Sequence, residues 1–314
     1  MKKIISLLVV FALAGAAVAA PAAKSSGKTQ PKTKAEFIII ESEEYEAGKE
    51  DPLLTQGIAQ FLEATPVVTH MPISKAAADP KLANLDYSFL PLYLVKKTKA
   101  FRTKMEQPLQ YGYVQENEDF LILPHQTRQG VYNNKEAKPG VLELFVMSQC
   151  PYGVRAEDLV INAQKNGTFP KDKTVRVRYI VDYTADRGFS SLHGSAEWEE
   201  NVRQLLIAKY YPAKFWKYLE IRNKDYRSSR WDKAMEEAGI NVNKIMKKFD
   251  SEGLELLKAE AQYTREYGIS GSPSLLWEGK VQLGLDSAAQ LPGFGFLNPA
   301  PSAAGAAAVP AGSC

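Results

Sequence analysis

Cysteine is scarce: the 314 residues hold two, Cys150 and Cys314. Two thiols cannot build a multi-bridge framework, so they form at most one bridge or act singly, and position matters more than number. Histidine is nearly as rare. His70, His125 and His193 are far apart and lack metal-ligand spacing, so no metal site is expected. Excess charge is missing too: a net charge of +3, with no basic stripe interleaved with aromatics, gives no reason to expect a nucleic-acid partner. No apolar stretch of spanning length follows Ala20. No phosphate-binding loop, paired catalytic acids or nucleophile-elbow serine is found, so no cofactor is implied.

What is present starts with an export signal. Lys2 and Lys3 precede an apolar run from Ile4 to Val18, and Ala17-Val18-Ala19 supplies the small residues that signal peptidase reads. Residues 1–19 therefore read as a cleavable signal peptide. The expectation is a periplasmic or secreted protein with no stable membrane association after cleavage. Residues 20–35, rich in Ala, Lys, Ser and Pro, read as a flexible linker, and residues 297–314 as an Ala/Pro-rich tail that carries Cys314.

Two regions lie between. In residues 36–137, Phe37–Ile40 is strand-like, Leu53, Leu54, Ile58, Phe61 and Leu62 fall at helical spacing, and Pro66 and Pro72 break the chain. Leu90–Val95 reads as a strand with an early proline, and Tyr111–Val114 with Phe120–Leu123 as a hairpin. This order suits either a degenerate thioredoxin-like domain or an unrelated α+β domain.

The second region, 138–296, opens at Lys138-Pro139-Gly140. Val141–Met147 is a near-continuous apolar run, as expected of a strand covered on both faces. Val154–Gln164 has helical character, Val175–Val181 suits a second strand, and residues 193–267 read as roughly four helices divided by Pro212, Gly239 and Gly253. Ser274–Trp277 and Lys280–Leu283 close with a hairpin.

The first strand of this region runs into Ser148-Gln149-Cys150-Pro151-Tyr152-Gly153, and a helix follows. A thiol at a helix start sits by unpaired N–H groups and the positive end of the helix dipole, which stabilise its thiolate. Pro151 fits the first turn, where its missing N–H has no partner to lose.

The segment Phe145–Gly153 resembles the strand-to-active-site segment of DsbA-like thioredoxin-fold proteins. Gly268–Ser274 is similar to the cis-proline loop of that family, and the helical stretch between resembles its helical insert. The resemblance covers about Gly140 to Leu285. It implies an α/β thioredoxin fold with a helical insert and a thiol–disulfide oxidoreductase or isomerase activity carried by Cys150. It further implies client contacts at Pro151, Tyr152, Ser272 and Pro273, with Pro273 in cis. Implied partners are client polypeptides with cysteines or a small-molecule thiol.

Position 153 departs from the family: a dithiol motif has cysteine there, and this chain has Gly153. A Cys-x-x-Cys pair resolves its own mixed disulfide through the second thiol, and Gly153 cannot. Three readings stay open. Cys150 acts as a monothiol released by an external thiol; or Cys314 is the resolving thiol, its tail having a root-mean-square span of about 20–24 Å; or the fold is a non-catalytic peptide- or protein-binding module. The monothiol reading is the leading expectation.

Overall fold

The computed structural model describes residues 33–124, 129–291, 293–298 and 314. The expected signal peptide, most of the linker, His125 and all of the tail between Asn298 and Cys314 lie outside these residues.

The first sheet is built from β1 (Lys34–Glu41), β2 (Thr65–Pro72), β4 (Leu92–Lys96), β5 (Gln115–Glu116) and β6 (Phe120–Leu123), in the order β2-β1-β4-β6-β5. Helices α1 (Pro52–Phe61), α2 (Ile73–Ala78), α3 (Lys99–Lys104) and α4 (Glu106–Gln110) connect them. Asp51 caps α1 through Leu53 N–H at 3.0 Å, and Pro52 opens its first turn. Alternate residues of β1, Ala35, Phe37 and Ile39, bury one face against Ile58, Ala59 and Leu62.

Two sequence expectations are corrected here. Pro66 and Pro72 do not interrupt the chain but lie within β2, which is an edge strand; there a missing N–H leaves no ladder bond unmade on the open side. Tyr111–Val114 forms no strand: α4 ends at Gln110, Gly112 takes a left-handed φ of 76°, and only Gln115–Glu116 pairs with β6.

The expected strand Leu90–Val95 is divided at Pro91. β3 (Phe89–Leu90) joins the second sheet and β4 the first, with a cis Leu90–Pro91 bond between them. The second sheet adds β7 (Gly130–Tyr132), β8 (Val141–Val146), β9 (Thr174–Tyr179), β12 (Ser274–Trp277) and β13 (Val281–Leu283), ordered β3-β7-β13-β12-β8-β9. A small hairpin of β10 (Asp182–Thr184) and β11 (Gly188–Ser190) stands apart and was not legible in the sequence. Helices α5 (Pro151–Lys165), α6 (Ser195–Tyr210), α7 (Pro212–Arg222), α8 (Trp231–Glu237), α9 (Val242–Met246), α10 (Leu254–Glu266) and α11 (Leu285–Ala289) surround it. The insert thus holds five helices, α6 to α10, rather than four.

In this sheet β8 and β9 are parallel, β12 is antiparallel to β8, and β13 is antiparallel to β12. With α5 crossing between β8 and β9, that is the strand order and sense of the thioredoxin fold. The first sheet repeats it: β1 and β2 are parallel, and β4 and β6 follow in antiparallel sense. Pro91 directly precedes β4 as Pro273 directly precedes β12, and both peptide bonds are cis. Of the two expectations for the N-terminal region, the degenerate thioredoxin-like one matches this order.

β8 is covered on both faces, which explains its unbroken apolar run. Leu142, Leu144 and Val146 pack with Ala156 and Val160 of α5, whereas Phe145 and Met147 pack with Tyr267 and Ile269. Glu143 interrupts the second face, fully buried. Arg178 at 2.8 Å, Lys138 at 3.0 Å and the Tyr263 hydroxyl at 2.7 Å satisfy it, as a buried charge requires.

Candidate functional site

Cys150 is the N-cap of α5: its φ of −82° and ψ of 121° are extended, and its carbonyl takes the first helical bond from Val154 N–H at 3.0 Å. Pro151 follows at the first helical position. β8 ends just before the site, so its buried register aims Met147 and Cys150 into the cluster that also holds Ile180, Ile269 and, at its margin, Tyr152.

The Ser272–Pro273 bond is cis, and Ser272 is fully buried. Its hydroxyl accepts the backbone N–H of Met147 at 3.0 Å, and its carbonyl oxygen lies 3.5 Å from Cys150 Sγ. Sequence separation of more than a hundred residues is closed because β12, which starts at Ser274, pairs antiparallel with β8, setting Ser274 opposite Phe145.

Cys314 meets this loop. Its N–H donates to the Ser272 carbonyl at 2.8 Å, and its own carbonyl accepts the Ser272 N–H at 3.2 Å. That reciprocal pair is the bonding of two extended strands over one residue. The two sulfurs are joined: Cys150 and Cys314 form a disulfide with a Cα–Cα distance of 6.1 Å. The leading expectation of a lone thiol at Cys150 is thereby corrected, since neither cysteine is free. Gly153 offers no second sulfur, and the bond partner comes instead from 164 residues downstream.

Cys150, Ser272, Pro273 and Cys314 are therefore brought together, with Pro151 and Tyr152 beside them. Residues that sequence reasoning did not assign support the same loop from the helical insert. Glu197 is fully buried; its carboxylate accepts Gln149 N–H at 3.0 Å, and its backbone carbonyl accepts the Ser148 hydroxyl at 3.2 Å. His193 Nδ1 lies 2.7 Å from the same carboxylate. Arg227 reaches the Gln149 carbonyl at 3.4 Å. No motif marks Glu197, because its partners are backbone groups made adjacent only by folding.

Elsewhere, His70 sits on the first sheet between Glu41 at 3.2 Å and Glu50 at 3.4 Å. Among the described residues no cluster of three or more His, Cys, Asp or Glu side chains is arranged to hold a metal ion. No described helix is long and apolar enough to cross a membrane.

No protein-family model matches the chain, and no curated protein matches it. Among solved structures it is similar to the DsbA disulfide interchange protein of Klebsiella pneumoniae, at 16% identity over 54% of this chain and 88% of that one, with a TM-score of 0.37. It is similar also to a putative protein-disulfide isomerase from Pseudomonas syringae, at 17% identity over 52% and 93% of the two chains, TM-score 0.38. For Proteus mirabilis ScsC the identity is 18%, over 47% of this chain and 62% of that one, TM-score 0.37. Likeness at this level carries no weight for function. The strand order identifies the fold, and the bonded cysteines mark the candidate site.

Proposed function

We propose that this chain is an exported thiol–disulfide exchange protein that acts on cysteine-bearing polypeptides or a small-molecule thiol. Cys150 is its helix-start thiol, and Cys314 the second thiol of the exchanging pair. The observation that carries the reading is the disulfide between them at the N-terminus of α5, beside the cis-proline loop. A helix start favours the thiolate of Cys150, the form that attacks and the form that leaves well. Tyr152, Ser272 and Pro273 would line the client's approach. The proposed signal peptide over residues 1–19 fits an oxidising compartment, where a disulfide persists; the mature N-terminus, read by mass, tests it.

The function is tested by reducing the protein and following alkylation of Cys150 against pH. The expected midpoint lies well below about 8.5, the value of an unperturbed cysteine. A midpoint at or above that value overturns the exchange reading and leaves the non-catalytic binding module.

A further inference from the structure

Which of the two sulfurs meets the partner is decided by access and by leaving-group chemistry, and both favour the same one. Cys150 is fully buried, under the loop of Ser272 and against Met147, Ile180 and Ile269, whereas Cys314 is partly exposed. An incoming thiolate must approach one sulfur in line with the S–S bond while the other departs. Attack on Cys150 Sγ would need the core to open and would expel Cys314, which caps no described helix. Attack on Cys314 Sγ falls on the partly exposed residue of the pair and expels Cys150 onto the N-terminus of α5, whose unpaired N–H groups and dipole stabilise the thiolate. A leaving thiol of lower pKa departs faster. Resting on the exchange reading above, we infer that Cys314 is the sulfur that forms the mixed disulfide with the external partner, and that Cys150 acts inwardly as its leaving group and return nucleophile.

The partner of the complete oxidative half-reaction is a polypeptide with two cysteine thiols. Its first thiolate donates an electron pair to Cys314 Sγ, forming a partner–Cys314 bond. The Cys150–Cys314 bond breaks, and its pair leaves on Cys150 as thiolate. The partner's second thiol, its proton lost to solvent, then attacks the partner sulfur of the mixed disulfide and expels Cys314 as thiolate. The partner ends oxidised by two electrons, and the Cys150–Cys314 pair ends reduced by two. The paired hydrogen bonds between Ser272 and Cys314 hold the attacked residue at the start of this sequence, in the place an extended client segment would otherwise take on the loop.

The test uses the oxidised full-length protein and reduced glutathione as a single-thiol probe. Samples quenched in acid at successive early times and capped with N-ethylmaleimide are mapped by peptide mass spectrometry. The expected result is glutathione on Cys314 and the cap on Cys150, in at least tenfold excess over the reverse. Glutathione mainly on Cys150 overturns this assignment but leaves thiol–disulfide exchange standing. An internal disulfide that survives a large excess of glutathione, with no adduct on either sulfur, overturns both.

Discussion

The hydroxyl oxygen of Ser272 lies 2.6 Å from where a β-carbon on Gly153 would sit. The position that a dithiol motif gives to its second cysteine is therefore filled from the other side, by a side chain bonded to Met147 N–H. The carbonyl of Met147 and the β-carbon of Val146, both at 3.3 Å, close the remaining space. Gly153 is required by packing with this serine, and the missing cysteine is part of how the loop is built.

Gly153→Ala should accordingly destabilise the protein. Alanine gains about 1 kcal/mol over glycine in a helix, but overpacking costs about 1–3 kcal/mol, and Ser272 is short and cannot swing aside without losing its hydrogen bond. In a Ser272→Gly background the clash disappears and the same substitution should stabilise. Denaturant midpoints of the four proteins in this cycle check the sign reversal; equal effects in both backgrounds would refute it.

Cys314→Ser should leave Cys150 free and lower the stability of the oxidised protein by about 2–4 kcal/mol, as loss of a bridge closing a long loop does. It should also speed hydrogen exchange at Ser272, whose N–H is bonded to the Cys314 carbonyl. Exchange measured over 269–275 in oxidised, reduced and variant protein follows this directly, and protection that is the same in all three would contradict it.

Glu157 on α5 should make stability fall as pH rises. Its carboxyl is buried and has an oxygen without a hydrogen-bond partner, and burial pushes its pKa from 4.5 up to about 8. Below pH 4.5 folded and unfolded chains both hold the proton. Between 4.5 and about 8 the unfolded chain has released it and the folded chain retains it, so this group lowers stability with rising pH, levelling off above 8. The slope is about 1.4 kcal/mol per pH unit. Glu157→Gln should flatten it, and urea midpoints at pH 5, 6.5 and 8 read the difference.

Glu197→Ala should strip Gln149 N–H of its acceptor and cost about 1–3 kcal/mol, the penalty of a buried donor left unpaired. Glu197→Gln retains an oxygen at that place and should cost less. Thermal unfolding of both variants ranks them, and equal losses would argue that the carboxylate charge beside His193, not the hydrogen bond to the loop, is what matters.

The sequence by itself determined the main strands of the second region, the helix after Cys150 and the helical character of the insert, though not the β10–β11 hairpin or the number of insert helices. An apolar run covered on both faces, a proline at a helix start and a hairpin turn at Glu278-Gly279, with φ of 52° and 70°, are local features that local chemistry reads. The helix-start position marked Cys150 as a candidate, and the resemblance to DsbA-like proteins added Ser272 and Pro273. Tertiary structure decided what lies beyond local reach. Leu90 and Leu92 belong to different sheets because the chain turns at Pro91, although the stretch reads as one strand. Pro66 and Pro72 fit in a strand only because that strand is an edge. Gly153, which in the sequence is a missing thiol, is in the fold a space taken by Ser272 from more than a hundred residues away. The bond from Cys150 to Cys314 has the same origin: loop closure over 164 residues leaves no periodicity to read, and only the paired backbone of Ser272 and Cys314 brings the two sulfurs together.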